Sequence, residues 1–146
     1  MSFFPPRLFR RLPVWISNLP EAEQELLIEV YEALGTDSRR LAAMGCRALI
    51  DLFIVRTVGD AGTFAARLEQ LENDGYLSRR SRQSLGTALD AGNAAAHRGY
   101  SPNGSELTVI LDIVENLLHA TVVATQAPEL STSIPRRATP KGETSL

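Results

Sequence analysis

The strongest constraint on this chain lies in its last third. Leu107, Ile110, Leu111, Val114, Leu117, Leu118 and Val122 recur at three- and four-residue steps over four turns. That is the period of a helix burying one face, not of a strand. A stripe this long must be covered by other elements, and the upstream sequence offers more helices to cover it. Leu26, Leu27, Val30, Tyr31 and Leu34 predict a first helix over about 20–34. Pro20 suits its opening turn, Glu21, Glu23 and Glu25 suit the positive end of its dipole, and Gly35 supplies the stop. Thr36, Asp37 or Ser38 can cap a second helix over about 38–58, with Leu41, Met44, Ala48, Leu52 and Val55 as its periodic residues. Ala42, Ala43, Gly45 and Cys46 keep that helix slim enough for close approach. Arg47 and Asp51, four apart, can pair along it for a few tenths of a kcal/mol.

GDAG at 59–62 reads as a turn, and a third helix over 63–73 points Phe64, Leu68 and Leu71 inward. Asn73, Asp74 and Gly75 end it. Ser78 caps a fourth helix carrying Leu85, Ala88 and Leu89 toward residues 91–100. Pro102, Asn103 and Gly104 form the next loop, and Ser105 with Thr108 is the cap signal of the last helix. No run alternates with period two for long enough to make a strand. The fold class is all-α.

Residues 19–126 form the helical domain, preceded by an arm over 1–18 and followed by a tail over 127–146. The arm has no regular period, but Phe3, Phe4, Phe9 and Trp15 give it the aromatics of a segment that packs on its own body or on a partner. Pro128, Pro135 and Pro140 interrupt the polar tail, which is expected to be mobile. At 146 residues the chain has the length of one domain. A net charge of −2 argues against polyanion binding by bulk charge. One cysteine, Cys46, excludes an internal disulfide and, with His97 and His119 far apart, leaves no set of metal ligands. No metal and no cofactor are expected. Arg7, Arg10, Arg11 and Pro13 break the N-terminal apolar content, so a signal peptide is not expected, and no window reads as a membrane span. The cytoplasm is the expected location.

One segment is not explained by packing. In AGNAAAHRGY, residues 91–100, Asn93 and His97 share a helical face one turn apart, separated by three alanines that keep the surface low. An Asn amide both donates and accepts, and a His can move a proton near neutral pH. Either the pair locks the following loop as a buried hydrogen bond, or His97 works as acid, base or phosphate contact with Arg98 beside it. Arg79, Arg80 and Arg82 form the densest basic run of the folded region, a solvated face or a phosphate contact.

Four stretches together resemble the bacterial domain of unknown function 4145 family: LPVWISNLP with EVYEALGTDSRRLAAMGCRALID, then VGDAGTFAARLEQLENDGYLS, LDAGNAAAHRGYSPNGSEL and LDIVENLL. The arginine-bearing second helix and the Gly92, Asn93, Ala96, His97 element are the most specific parts. The resemblance implies a HEPN-like bundle of about five helices, a homodimer, and a place among RNA-cutting, RNA-processing or phage-defence proteins. It also implies a catalytic role for His97, with Asn93 on the polar position beside it and an arginine at 90, 91 or 92. Those positions hold Asp90, Ala91 and Gly92, so the arginine is absent. Losing a preorganised charge donor costs about 100–1,000-fold in rate. Three readings follow. One is a non-catalytic binding module for RNA or a protein, with Asn93, His97, Arg98 and Tyr100 at its surface. The others are a feeble metal-independent endoribonuclease using His97, and a purely structural domain.

Overall fold

The caps decide where each helix begins. In the computed structural model, which describes residues 10–137, five helices follow one another: α1 (Glu21–Gly35), α2 (Arg39–Val58), α3 (Phe64–Asn73), α4 (Arg79–His97) and α5 (Gly104–Ser133). A single 3-10 turn, Ile16–Asn18, precedes them, and no strand occurs among the described residues. The Thr63 hydroxyl accepts from the Ala66 N–H at the start of α3, and Ser78 does the same for Ser81 at the start of α4. The cap of α5 differs from the expected Ser105. Asn103 Oδ1 accepts from the Glu106 N–H at 2.8 Å while Glu106 Oε1 accepts from the Asn103 N–H at 3.0 Å, a complete capping box. The end of α1 also differs. Gly35 stays helical, and Asp37, at φ +58°, makes the left-handed step. The Ser38 N–H then reaches back to the Ala33 carbonyl at 2.8 Å.

Helix α2 touches all four other helices and forms the centre of the bundle. It buries Ala42, Ala43, Cys46, Leu49, Ile50, Phe53 and Ile54. This is not the stripe the spacing suggested: Leu41 is 62% exposed, Val55 46%, Leu52 37% and Met44 36%. Helix α2 is apolar on two nearly opposite faces, and a period of 3.6 fits both sets equally well. Only the neighbouring helices decide which face goes inside. The small residues do permit close approach, since a Cβ on Gly45 would lie 2.6 Å from Val30 Cγ2 on α1. At the other end of the same contact, Glu23 of α1 is 2% exposed and faces Arg56 of α2. Arg56 Nε donates to Glu23 Oε1 at 3.1 Å; Nη2 lies 3.1 Å from Oε2 but out of hydrogen-bonding alignment. The Arg56 guanidinium also sits 5.2 Å from the centre of the Phe53 ring.

All seven residues of the α5 stripe are buried, as their spacing predicts. The helix does not stop before Ala127, however. It continues to Ser133 with Pro128 inside it, and residues 123–133 are exposed throughout. Proline there removes one backbone donor, but on a solvated helix water serves the freed carbonyl, and extending an existing helix needs no new nucleus. The remainder of the expected tail, 138–146, lies outside the described residues. Contrary to the expectation that no window reads as a membrane span, α5 is by length and composition apolar enough to cross one. Of its most apolar stretch, 44% is buried inside the bundle. Its apolar face serves the core.

From Arg10 onward the N-terminal arm packs on the body; its earlier residues, with Phe3, Phe4, Arg7 and Phe9, lie outside the described ones. Arg10 Nη2 donates to Asp112 Oδ1 at 2.7 Å, and its Nε to Glu115 Oε2 at 3.0 Å. The Tyr31 hydroxyl donates to the same Glu115 oxygen at 2.8 Å. Burial opposes the Arg10 charge, but Asp112 and Glu115 outweigh it and hold the guanidinium protonated well above its ordinary value. Burial, then the Glu115 hydrogen bond and charge, push the Tyr31 phenol up. Further along the arm, Trp15 stacks on His119 of α5 at 4.9 Å with 5° between the rings. Gln24 Nε2 donates to the Ile16 carbonyl at 2.9 Å.

Burial, followed by the charge of Glu115, pushes the fully enclosed Cys46 thiol up to about 12. We expect Cys46 to resist a disulfide exchange reagent at pH 8 in the native protein and to react fully in denaturant. Stoichiometric labelling of the native protein would contradict this burial.

A candidate interaction cleft between α2, α3 and α4

Gly86, Leu89, Asp90 and Asn93 recur at i, i+3, i+4 and i+7 and therefore form one face of α4. Across from them stand Arg47, Asp51, Ile54 and Val55 of α2. Asp60 in the following turn, with Phe64 and Arg67 of α3, closes the third side. Together they enclose a cleft of about 600 Å³. Its floor is apolar and its rim carries three carboxylates, two guanidiniums and the Asn93 amide. Arg47 Nη1 lies 3.1 Å from Asp51 Oδ2, the pair the four-residue spacing predicts. Arg67 Nη1 donates to the Gly62 carbonyl at 3.0 Å, and the guanidinium lies 5.8 Å from the centre of the Phe64 ring. The Nε atoms of both arginines are buried without an acceptor.

Beside the cleft, Gly92 sets how closely α2 and α4 approach. A Cβ there would lie 2.5 Å from Arg47 Cβ and 3.2 Å from the Ala43 carbonyl oxygen, so only glycine lets the stem of Arg47 cross α4 at this point. The arginine-bearing second helix and the Gly92–Asn93 element meet here. Gly92→Ala is expected to lose about 1–2 kcal/mol. The clash falls on a side-chain base and a backbone atom, and it outweighs the gain of up to about 1 kcal/mol in helix propensity. Thermal melts of the two proteins measure the difference; a stabilised variant would mean the crossing has slack.

The other residues of the segment are placed differently. Asn93 is half-buried and lines the cleft, whereas His97 is exposed at the last position of α4. No hydrogen bond joins them among the described residues. Arg98 is the exposed C-cap, and Gly99 at φ +69° turns the chain so that the Tyr100 N–H reaches the Ala94 carbonyl at 3.1 Å. The Tyr100 hydroxyl donates to Glu106 Oε2 at 2.9 Å, tying this turn to the cap of α5. The Asn103 backbone hydrogen bond, then Tyr100, hold the Glu106 carboxyl below its ordinary value. Arg40 Nη2 donates to the Gly99 carbonyl at 3.3 Å. In the basic run, Arg82 pairs with Glu72 of α3 at 3.3 Å, while Arg79 and Arg80 are exposed.

The residues that sequence reading left out are Asp60, Phe64, Arg67 and Asp90 as cleft walls. Their convergence depends on how three helices cross and leaves no local signal. No three His, Cys, Asp or Glu side chains are grouped to hold a metal among the described residues. Among known proteins, a family model described as a domain of unknown function (DUF4145) matches residues 28–139. No curated protein and no solved structure matches the chain.

Proposed function

From the premise that the chain belongs to this family of domains of unknown function, we propose that it is a non-catalytic, HEPN-like interaction module. It binds a protein partner through the α2–α3–α4 cleft and the adjoining end of α4, in a cytoplasmic RNA-processing or phage-defence assembly. The observation that carries this reading is the cleft's mixed rim: Asp51, Asp60 and Asp90 beside Arg47, Arg67 and Asn93 over an apolar floor. Such a rim suits a peptide surface with charges of both signs. A nucleic-acid backbone would meet three carboxylates on a chain of net charge −2. His97 and Arg98, exposed at the end of α4, extend the same surface.

The test compares the wild type with His97→Ala and Asn93→Ala as bait. Both variants are expected to melt like the wild type and to lose a protein that the wild type retains. Equal retention by all three would remove the cleft and the α4 end from the interaction.

One observation favours a second reading. Gly92 admits the stem of Arg47 from α2 across the stretch of α4 where the arginine expected of a HEPN-like nuclease is missing, and Arg47 lines the same cleft as Asn93. As an endoribonuclease, the domain would use His97 as acid or base and Arg47 to stabilise phosphate charge. Incubation with total tRNA in EDTA decides: cleavage lost in both His97→Ala and Arg47→Ala supports the nuclease, and intact tRNA with every protein supports the binding module.

A further inference from the structure

Helix α4 carries a single carboxylate, Asp90, and it stands exposed on the wall of the α2–α3–α4 cleft. The other charges there already have partners. Arg47 pairs with Asp51 at 3.1 Å, and Arg67 Nη1 donates to the Gly62 carbonyl at 3.0 Å with Asp60 3.9 Å away. The Nε atoms of both arginines are buried, out of reach of a group entering from solvent. Of the cations nearby, Arg56 faces Glu23 and Arg82 faces Glu72. Three carboxylates against two guanidiniums thus leave one negative charge, and Asp90 has no ion-pair partner among the described residues. Asn93, one turn further along, is half-buried, and its amide makes no hydrogen bond among the described residues. One turn before Asp90 the helix is bare: a Cβ on Gly86 would meet nothing within 4 Å.

Ile54, Val55, Phe64 and Leu89 supply the apolar surface of the same cleft. Open space at Gly86, apolar surface below it and an unpaired carboxylate at the rim fit one kind of side chain: a long aliphatic stem ending in a cation. Lysine and arginine bury such a stem while their charge stays at the edge of the water. An acidic side chain would carry its charge to Asp90 and find the guanidiniums turned to acceptors of their own. We propose that the cleft receives a lysine or arginine side chain of the partner protein. The stem lies along the apolar floor, the cation meets Asp90, and the Asn93 amide bonds the partner's backbone beside it. This assignment rests on the cleft being the protein-binding site and adds which residue of the partner enters it.

Heteronuclear NMR of the full chain reads the cleft directly, with the N-acetyl N-methylamides of lysine, arginine, norleucine and glutamate as probes. The lysine and arginine probes are expected to shift the Asn93 side-chain amide and the Asp90 and Phe64 backbone signals saturably. They should bind about fivefold more tightly than norleucine, with glutamate weakest. Raising the salt to about 0.5 M shortens the reach of the Asp90 charge and should remove most of that advantage. Asp90→Asn keeps the shape and is expected to bind lysine and norleucine alike. Gly86→Leu fills open space on a helix, so it should melt no lower than the wild type and abolish binding of the lysine probe. Glutamate bound as tightly as lysine, or a lysine preference that survives in Asp90→Asn, overturns the proposal. Partner capture that depends on Asn93, with no shift at the cleft from any probe, also overturns it and leaves the interaction module standing. A cleft selective for the basic probes, with partner capture indifferent to Asn93→Ala, upholds the cation site and removes the module.

Discussion

Arg56→Ala is expected to destabilise the fold by about 3 kcal/mol and to lower the melting temperature by roughly 10 °C. The effect comes less from the lost attraction than from what remains. Glu23 is 2% exposed between α1 and α2, and without Arg56 its carboxylate has neither water nor a counter-charge. The substitution also removes the guanidinium from the Phe53 ring. A paired replacement separates these contributions. Glu23→Leu together with Arg56→Met removes both charges and keeps the volume, so most of the stability should return. Denaturant titration of the three proteins measures the coupling. If Arg56→Ala melts within about 1 kcal/mol of the wild type, water reaches Glu23 and the site is more open than its burial indicates.

Arg10→Ala is expected to cost about 2–4 kcal/mol and to free the N-terminal arm. Arg10 faces two carboxylates, and Glu115, only 9% exposed, would keep the Tyr31 hydroxyl as its remaining partner. Lysine should rescue poorly. The guanidinium directs separate N–H groups at Asp112 and Glu115, whereas an ammonium is a single compact charge. Limited proteolysis gives the direct readout: cleavage between residues 10 and 19 should accelerate in Arg10→Ala while the helical body stays resistant. An arm equally protected in both proteins would show that Trp15 and Ile16 hold it without the ion pairs.

The helices were legible because their signals are local. The Ser78 cap, the turn at 59–62 and the seven-residue stripe of α5 all act within a few residues of themselves. What failed was the choice between alternatives that local rules treat as equal. Leu41, Met44, Leu52 and Val55 keep helical time as well as Leu49, Ile50 and Phe53 do, so only the packing of α1, α4 and α5 could rank the two faces. Glu23 shows the same limit. Its place in the first turn of α1 explains it as a dipole partner, yet its role is fixed by Arg56, thirty-three residues away. The cleft was half legible. Asn93 stood out by chemistry, but Gly92 gains its meaning from the Arg47 stem lying across it.

Trp15 is the chain's single tryptophan, and its ring lies flat on His119. The molecule thus carries one fluorophore that absorbs at the red edge of the aromatic band, where its three tyrosines do not, and it sits at the seam between arm and bundle and not in the core. Emission excited at the red edge of the aromatic band will follow undocking of residues 10–19, whereas far-ultraviolet dichroism will follow the five helices. Superimposable transitions would mean that arm and bundle come apart as one cooperative unit. A fluorescence change that precedes the dichroic one would resolve arm release as a separate step, with no label attached.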